Sequence, residues 1–236
     1  LDVYTPSTPR KNAPVIVFVH GGGWDSGDKN MYKFLGETFT GEGYTVVMPN
    51  YRLHPGIRFP DPVVDTAKAV AWTAGRYQDR AIIMMGHSAG AYNVLMAGMA
   101  PEYLEAEGVK VCERVAGIVS LAAPTGIIPL KEEPLVSVFP KRFTGTDAPM
   151  GLTDSKTPRL FLMNGGKDKT VYPQNSEKLG EAINARGGKA DVRIYPKMDH
   201  IDPVKVLSRY FDGNASLKID ILDFIRNVPK QGNYCH

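Results

Sequence analysis

The order of apolar segments along the chain predicts an α/β fold, with a mostly parallel central sheet and helices on both of its faces. Short apolar runs rich in β-branched residues alternate with longer segments of helical periodicity. The short runs are apolar at nearly every position, which is typical of strands that are buried on both faces of a parallel sheet. A length of 236 residues fits one large domain. We therefore expect a single domain over residues 1–236, with right-handed crossovers.

Six predicted strands share this continuous apolar character, and they cover residues 15–19, 44–48, 81–85, 115–121, 159–163 and 190–195. Five predicted helices lie between and after them, at residues 31–40, 62–77, 89–100, 173–186 and 216–228. In the second helix, Val63, Ala67, Val70 and Ala74 recur at spacings of three and four and form one apolar face. Residues 1–4 also alternate in the manner of a strand.

The composition excludes several classes of protein. Hydrophobic residues make up 43% of the chain, which is too much for intrinsic disorder, and no apolar run approaches the ~18 residues of a membrane-spanning helix. The net charge is only +3 and no basic block concentrates it, so we do not expect a nucleic-acid partner. The two cysteines, Cys112 and Cys235, are too few for a disulfide framework, and no C-x-x-C motif indicates a metal site.

The first residue is Leu1 and no signal peptide precedes it. We interpret this start as missing native sequence. A cytoplasmic location is the expectation, and secretion stays open because of this missing sequence. The oligomeric state is open as well.

One segment interrupts the alternation of strands and helices. Residues 124–158 contain six prolines and have no clear periodicity. Loops of this length inside a compact domain are usually functional, so we predict a lid or binding loop. The alternative is a surface insertion without such a role.

The motif Gly86-His87-Ser88-Ala89-Gly90 predicts a nucleophilic serine. It has the form G-x-S-x-G, follows a predicted strand and precedes a predicted helix, which is the context of a nucleophile elbow. His87 is adjacent to Ser88 on this turn and is expected to point away from it. The amino end of the following helix adds positive potential where an oxyanion would develop.

A second motif, His20-Gly21-Gly22-Gly23-Trp24, follows the predicted strand at residues 15–19. Consecutive glycines let backbone N–H groups face a reacting carbonyl, and the loss of one such donor typically costs ~10² to 10³ in rate. A phosphate-binding loop is the alternative, but the Lys-Ser/Thr of that motif is absent. Trp24 is a candidate wall of the substrate pocket, with a place in the core as the alternative.

His200 is the candidate general base among the five histidines of the chain. It follows the predicted strand at residues 190–195, and open α/β sheets build their sites at the carboxyl ends of strands. His20 belongs to the glycine loop, His54 is a candidate rim residue, and His236 is terminal.

Asp168 is the candidate acid that orients the base. It follows the strand at residues 159–163 and so lies at the same edge of the sheet. Asp199 and Asp202 flank His200, but neighbouring residues rarely direct their side chains at one another. The chain order Ser88, Asp168, His200 is also the order that α/β-hydrolases use.

Taken together, these residues resemble the α/β-hydrolases of the carboxylesterase, lipase and kynurenine formamidase group. The matching segments are Leu1 to Tyr4, His20 to Trp24, Asn50 to Leu53 with Phe59-Pro60, Asp65 to Trp72, Gly86 to Gly90, Asp168 with Val171, and His200. The resemblance implies a triad of Ser88, His200 and Asp168. It also implies an oxyanion hole formed by the backbone N–H groups of Gly22, Gly23 and Ala89, and it implies that Arg52 and Asp65 form a structural pair.

The resemblance and the motifs together predict a serine ester hydrolase without metal or organic cofactor, acting on a small-molecule ester. The helical N-terminal cap of hormone-sensitive-lipase relatives is not present in this sequence, so we expect an open cleft that favours small or exposed esters. We also count His87, with Trp24, as a candidate wall of the substrate pocket. An arylformamidase or another amide hydrolase with the same triad is the first alternative. A non-catalytic ligand-binding protein on the hydrolase scaffold is the second.

Overall fold

The computed structural model describes residues 1–126, 133, 135–139, 148–153, 156–208, 215–229 and 232–236, and its strands form one sheet. The strands are β1 (Asp2–Tyr4), β2 (Val15–Val19), β3 (Thr45–Met48), β4 (Ile82–His87), β5 (Val115–Leu121), β6 (Arg159–Gly165) and β7 (Ala190–Tyr195). Their order across the sheet is β1–β3–β2–β4–β5–β6–β7. Only the pairing of β1 with β3 is antiparallel, and the other pairs are parallel. The predicted α/β fold is confirmed.

The helices cover both faces of this sheet. They are α1 (Lys33–Gly41), α2 (Asp61–Arg76), α3 (Ala89–Met99), α4 (Glu102–Glu105), α5 (Val111–Arg114), α6 (Leu135–Val138), α7 (Gln174–Ala185), α8 (Asp202–Lys205) and α9 (Ala215–Arg226). Short 3-10 turns add Lys29–Tyr32 and Pro149–Leu152. The four short helices α4, α5, α6 and α8 lie outside the predicted set, because four residues are too few for an apolar repeat to show.

Alternate residues of each central strand enter two different cores. In β2, Val15, Val17 and Val19 face the core that α2, α3 and α7 cover, while Ile16 and Phe18 face the core that α1 and α9 cover. All five of these side chains are buried. The strand is therefore apolar throughout, as its sequence indicates for a strand with helices on both faces.

The strand order reverses between β2 and β4, and this reversal positions the site. From β2 the chain crosses to β3 on one side, and then returns to β4 on the other side of β2. Open α/β sheets bind ligands outside the carboxyl ends of strands at such a switch point. The loop that starts at His20 and the turn at Ser88 follow β2 and β4, so they lie side by side at this point.

Two arginines link the loops at the opposite edge of the sheet, where the parallel strands begin. Arg80 donates from Nε to the carbonyl oxygen of Ala13 at 2.7 Å and from Nη1 to the hydroxyl of Thr45 at 3.0 Å. The Nη2 of Arg114 lies within 3.3 Å of three backbone carbonyl oxygens, those of Ala74, Tyr77 and Arg80. Each guanidinium donates hydrogen bonds to carbonyl groups in segments that precede or connect strands.

The two cysteines also meet at this edge, in a disulfide between Cys112 and Cys235 across 123 residues of sequence. One disulfide does not make the framework that small secreted domains use, so this expectation stands, but the pairing of the two cysteines with each other was not predicted. The C-terminal residues pass beside α5 and the start of β6, with a bridge between Pro158 and Cys235 and a hydrogen bond from Tyr234 N to Cys112 O of 2.7 Å. This path brings Cys235 to Cys112.

Most of the predicted lid at residues 124–158 lies outside the described residues. The lid therefore remains a prediction. One described part, residues 135–139, packs beside the helix that follows Ser88: Phe139 is buried, with its ring centroid 4.9 Å from that of Trp24 and 5.7 Å from that of Tyr92. Among the described residues, no helix has the length and apolar character required to cross a membrane.

Candidate active site

Ser88 lies on a strained turn between β4 and α3. Its φ of 52° and ψ of −120° are rare for a residue with a side chain, and such strain is typical of functional sites. The turn requires glycine two residues later, because a Cβ at Gly90 would lie 2.2 Å from the carbonyl oxygen of Val19. This close approach holds the turn against the end of β2 and supports the assignment of a nucleophile elbow.

The structure brings Ser88, His200 and Asp168 into one hydrogen-bonded row. The Nε2 of His200 lies 2.9 Å from the Oγ of Ser88, and its Nδ1 lies 2.8 Å from the Oδ2 of Asp168. An ionised carboxylate only accepts hydrogen bonds, so Nδ1 carries the proton and Nε2 is free to accept one from the serine hydroxyl. The imidazole therefore has the tautomer that a general base requires.

Asp168 is buried at 3% exposure and is held by several donors. Its Oδ1 accepts hydrogen bonds from the backbone N–H groups of Thr170 and Val171, at 2.9 and 2.8 Å. Its Oδ2 accepts a longer one, 3.4 Å, from the side-chain amide of Asn164. These donors fix the carboxylate in the orientation that faces His200.

The other acids near His200 serve the local turn. Asp199 Oδ1 accepts from the backbone N–H groups of Ile201 and Asp202, and these bonds lower the pKa of Asp199. Asp202 Oδ2 accepts from the N–H of Asp199 at 2.9 Å. Both carboxylates are engaged in forming the turn that carries the histidine.

The glycine loop after β2 turns sharply through consecutive residues with positive φ, which are 128° at Gly22, 60° at Gly23 and 67° at Trp24. The N–H groups of Asp25 and Ser26 close the turn on the carbonyl oxygen of Gly22, at 3.2 and 3.0 Å. Within the described part of the chain, the N–H groups of Gly22, Gly23 and Ala89 donate to no other group. They are therefore available to a ligand oxygen.

Trp24 lies in the core, which was the alternative to a pocket wall. It is 3% exposed, donates from Nε1 to the side-chain oxygen of Asn93 at 2.9 Å, and meets the rings of Tyr92 and Phe139 edge to face. These contacts attach the glycine loop to α3.

The expectation that His87 forms a wall of the pocket is wrong. Its ring is 2% exposed, and both of its nitrogens form hydrogen bonds within the protein, to the hydroxyl of Tyr32 and to the carbonyl oxygen of His200. Burial lowers the pKa of His87 to about 4, so its imidazole is neutral near pH 7. The carbonyl oxygen of His200 is one of its partners, although 113 residues separate the two in sequence.

The structure also pairs Arg52 with Asp65, through Nε to Oδ2 at 2.8 Å and Nη2 to Oδ1 at 2.9 Å. His54 donates from its backbone N–H to the carbonyl oxygen of Trp24 at 2.8 Å. Among the described residues, no group of three or more His, Cys, Asp or Glu side chains could hold a metal ion.

Sequence reasoning missed Asn164 and Tyr32. Asn164 donates to Asp168 and to the carbonyl oxygen of Val171, and Tyr32 contacts both the glycine loop and His87. A signal existed for Asn164, because it lies near the end of a buried strand, directly before the two glycines that lead to Asp168. Nothing in the local sequence of Tyr32 indicates its partners.

Known proteins share this architecture over nearly the whole chain. A structure of Thermogutta terrifontis esterase 2 superimposes with a TM-score of 0.76, covering 96% of this chain and 90% of that one, at 21% identity. Kynurenine formamidase from Drosophila melanogaster is 23% identical over 242 residues, which is 97% of this chain and 77% of that protein.

The chain spans about half the length of another relative. Isoprenylcysteine alpha-carbonyl methylesterase from Arabidopsis thaliana is 24% identical over 228 residues, covering 86% of this chain and 53% of that protein. A family model named BD-FAE matches residues 1–183, which include Ser88 and Asp168 and end before His200. The chain therefore belongs to the BD-FAE family, and its fold is that of the α/β-hydrolases.

Proposed function

We propose that this protein is a serine ester hydrolase that cleaves small to medium carboxylic esters through an acyl-enzyme. The observation that carries the proposal is the row of hydrogen bonds from Ser88 through His200 to Asp168. The family and the esterases among the similar proteins support the reaction class.

In the first half of the reaction, Ser88 Oγ attacks the carbonyl carbon of the ester while its proton moves to His200 Nε2. The negative charge on the carbonyl oxygen is stabilised by the N–H groups of Gly22, Gly23 and Ala89. Asp168 stabilises the imidazolium. The C–O bond to the alcohol then breaks, and His200 Nε2 returns the proton to the leaving oxygen.

In the second half, water takes the place of the alcohol. His200 Nε2 accepts a proton from this water as its oxygen attacks the acyl carbon, and the same N–H groups hold the second oxyanion. Collapse breaks the bond to Ser88 Oγ, which recovers its proton from His200. The products are a carboxylic acid and an alcohol, and the residues return to their starting state.

The choice of a small, uncharged ester rests on charge and access. The net charge of +3 creates no strong field for a polyanion. The His200 side chain remains 14% exposed, and that exposure within the described part of the chain supports direct access to the triad. Hydrolysis rates for p-nitrophenyl esters of increasing acyl length measure which acyl chain the site prefers.

A second candidate function is hydrolysis of an arylformamide by the same triad. The similarity to a kynurenine formamidase over 97% of this chain favours it. Rates with N-formylkynurenine and with p-nitrophenyl acetate, measured on one preparation, decide between the two: a larger kcat/KM for the formamide would replace the ester proposal.

The Ser88→Ala variant tests the nucleophile. Because the attacking oxygen is removed, hydrolysis of p-nitrophenyl acetate should fall by about 10⁶-fold in kcat. A fluorophosphonate probe should label the wild-type protein and not the variant. Ser120→Ala is the matched control, since Ser120 lies buried on the neighbouring strand and its hydroxyl has no partner among the described residues. Wild-type turnover by Ser88→Ala would refute the proposal.

For the location of the protein, the disulfide favours an oxidising compartment over the expected cytoplasm, because cytosolic thiols are generally kept reduced. Thiol titration of protein isolated without reductant tests this: two free thiols would favour the cytoplasm.

A further inference from the structure

His87 connects the two loops that flank Ser88. Its Nε2 lies 2.9 Å from the carbonyl oxygen of His200, and its Nδ1 lies 3.2 Å from the hydroxyl oxygen of Tyr32. That hydroxyl oxygen accepts from the backbone N–H of Gly21 at 3.3 Å. One continuous chain of hydrogen bonds therefore runs from the glycine loop to the backbone of His200.

The groups at its two ends fix the direction of donation along this series of hydrogen bonds. A carbonyl oxygen only accepts, so the Nε2 of His87 must carry the proton and donate to His200. In the neutral imidazole, Nδ1 is then an acceptor, and it receives the hydroxyl proton of Tyr32. The tyrosine oxygen has a remaining lone pair for the N–H of Gly21. Every donor in the chain thus has one acceptor.

Close packing also connects the glycine loop to His87. A Cβ at Gly21 would lie 2.9 Å from the Nδ1 of His87 and 3.2 Å from the Cβ of Ser88. The glycine loop therefore rests directly on the His87 ring and on the nucleophile. His87 and Tyr32 are both buried, at 2% and 9% exposure, so water does not replace these contacts.

The neutral state of His87 suits its position near the base. The ring centroids of His87 and His200 are 5.1 Å apart, so a second positive charge here would oppose formation of the imidazolium. Burial is the main cause of the low pKa of His87, and it keeps the ring uncharged while His200 takes up its proton. The geometry provides a rigid, uncharged support.

We propose that His87 and Tyr32 are positioning residues, which hold the backbone of His200 in register with the glycine loop that carries the oxyanion donors. This inference rests on the proposed function, since it concerns the same triad. Neither residue touches the reacting atoms, and both act through His200 and Gly21.

Two substitutions at residue 87 test the contact made by Nε2 separately from the contact made by Nδ1. In His87→Gln, the side-chain amide reaches the position of Nε2 and can still donate to the carbonyl oxygen of His200. In His87→Asn, the amide reaches only the position of Nδ1, so the contact with His200 is lost. We expect kcat for p-nitrophenyl acetate, per probe-titrated site, to fall up to ~10²-fold in His87→Asn. In His87→Gln it should fall by about threefold.

Tyr32→Phe tests the other link of the chain. It leaves the N–H of Gly21 and the Nδ1 of His87 without a partner, and kcat should fall roughly tenfold with little change in KM. Tyr195→Phe is the matched control, because Tyr195 also donates its hydroxyl to a protein acceptor, Asp220, and that hydroxyl takes no part in the hydrogen bonds between the glycine loop and His200. All variants are assayed at a temperature at which thermal unfolding shows each to be folded.

A large difference in kcat between His87→Asn and His87→Gln supports the proposal, because a merely structural histidine would not distinguish the two. Equal kcat values for these variants, or wild-type kcat in Tyr32→Phe, would overturn it. The failure of the proposed function looks different: the wild-type protein itself would then not hydrolyse the ester, or Ser88→Ala would remain active.

Discussion

The two edges of the sheet use different kinds of contact. At the carboxyl edge, turns with positive φ at Ser88, Gly22 and Trp24 present side chains and N–H groups that face one another. At the amino edge, Arg80 and Arg114 donate to backbone carbonyl groups and a disulfide joins distant segments. Strained backbone persists only where the surrounding structure over-determines it. The carboxyl edge therefore carries the candidate active site, and the amino edge carries many of the contacts that join distant segments of the chain.

After Ser88→Ala, the largest expected effect at the carboxyl edge is that of Asp168→Asn. An amide nitrogen facing the Nδ1 of His200 would favour the wrong tautomer, so kcat should fall by ~10⁴-fold while the unfolding midpoint stays near that of the wild type. Asp202→Asn is the matched control, since the carboxylate of Asp202 accepts from the backbone of Asp199 and pairs with Lys205 rather than with His200. A silent Asp168→Asn together with an inactive Asp202→Asn would show that the acid is misassigned.

The next effect belongs to the amino edge. Replacing both cysteines, as Cys112→Ser with Cys235→Ser, removes a link across 123 residues and should lower the free energy of unfolding by ~2 to 4 kcal/mol. Because the disulfide lies away from the triad, kcat should remain close to the wild-type value. Urea unfolding and ester hydrolysis on the same samples measure both quantities. A tenfold loss of kcat in folded protein would contradict the division between the two edges.

The smallest effect is a pH dependence of stability that originates at the carboxyl edge. The pKa of His87 falls from its ordinary value of 6.5 to about 4 in the folded chain, so between these values the unfolded chain binds the proton more strongly. Stability should therefore decrease as pH falls through this window, with about 2 kcal/mol lost from this group between pH 7 and pH 5.

Urea unfolding of the wild type and of His87→Gln at both pH values isolates that contribution. The variant lacks the titrating ring, so its stability should depend less on pH. Equal slopes in the two proteins would show that His87 does not cause the dependence.

Much of the fold is predictable because its strands are buried on both faces. Residues 15–19 and 115–121 have the bounds of observed strands, since continuous apolar runs of this length have few other places in a globular domain. Ser88, Asp168 and His200 could be selected from their positions after strands, and the structure places them within hydrogen-bonding distance.

The contacts of His87 and the disulfide could not be predicted, because no local pattern contains them. The motif that contains His87 identifies Ser88, whereas the hydrogen-bond partner of the His87 Nε2, the carbonyl oxygen of His200, is 113 residues away. The disulfide joins residues that only the path of the C-terminal segment brings together. Tertiary contacts of this kind leave no periodicity in the sequence.

The short strand β1 has a consequence for self-association. It pairs antiparallel with β3 from Asp2 opposite Met48 to Tyr4 opposite Val46, and Lys29 holds it through an ion pair with Asp2 of 2.9 Å. All four residues of β3 are buried. Without β1, the apolar strand β3 would present a row of unpaired N–H and carbonyl groups, which is a template for adding a strand from another molecule. Three residues of antiparallel strand thus cover the apolar β3, and the partly exposed β1 forms the edge of the sheet in its place.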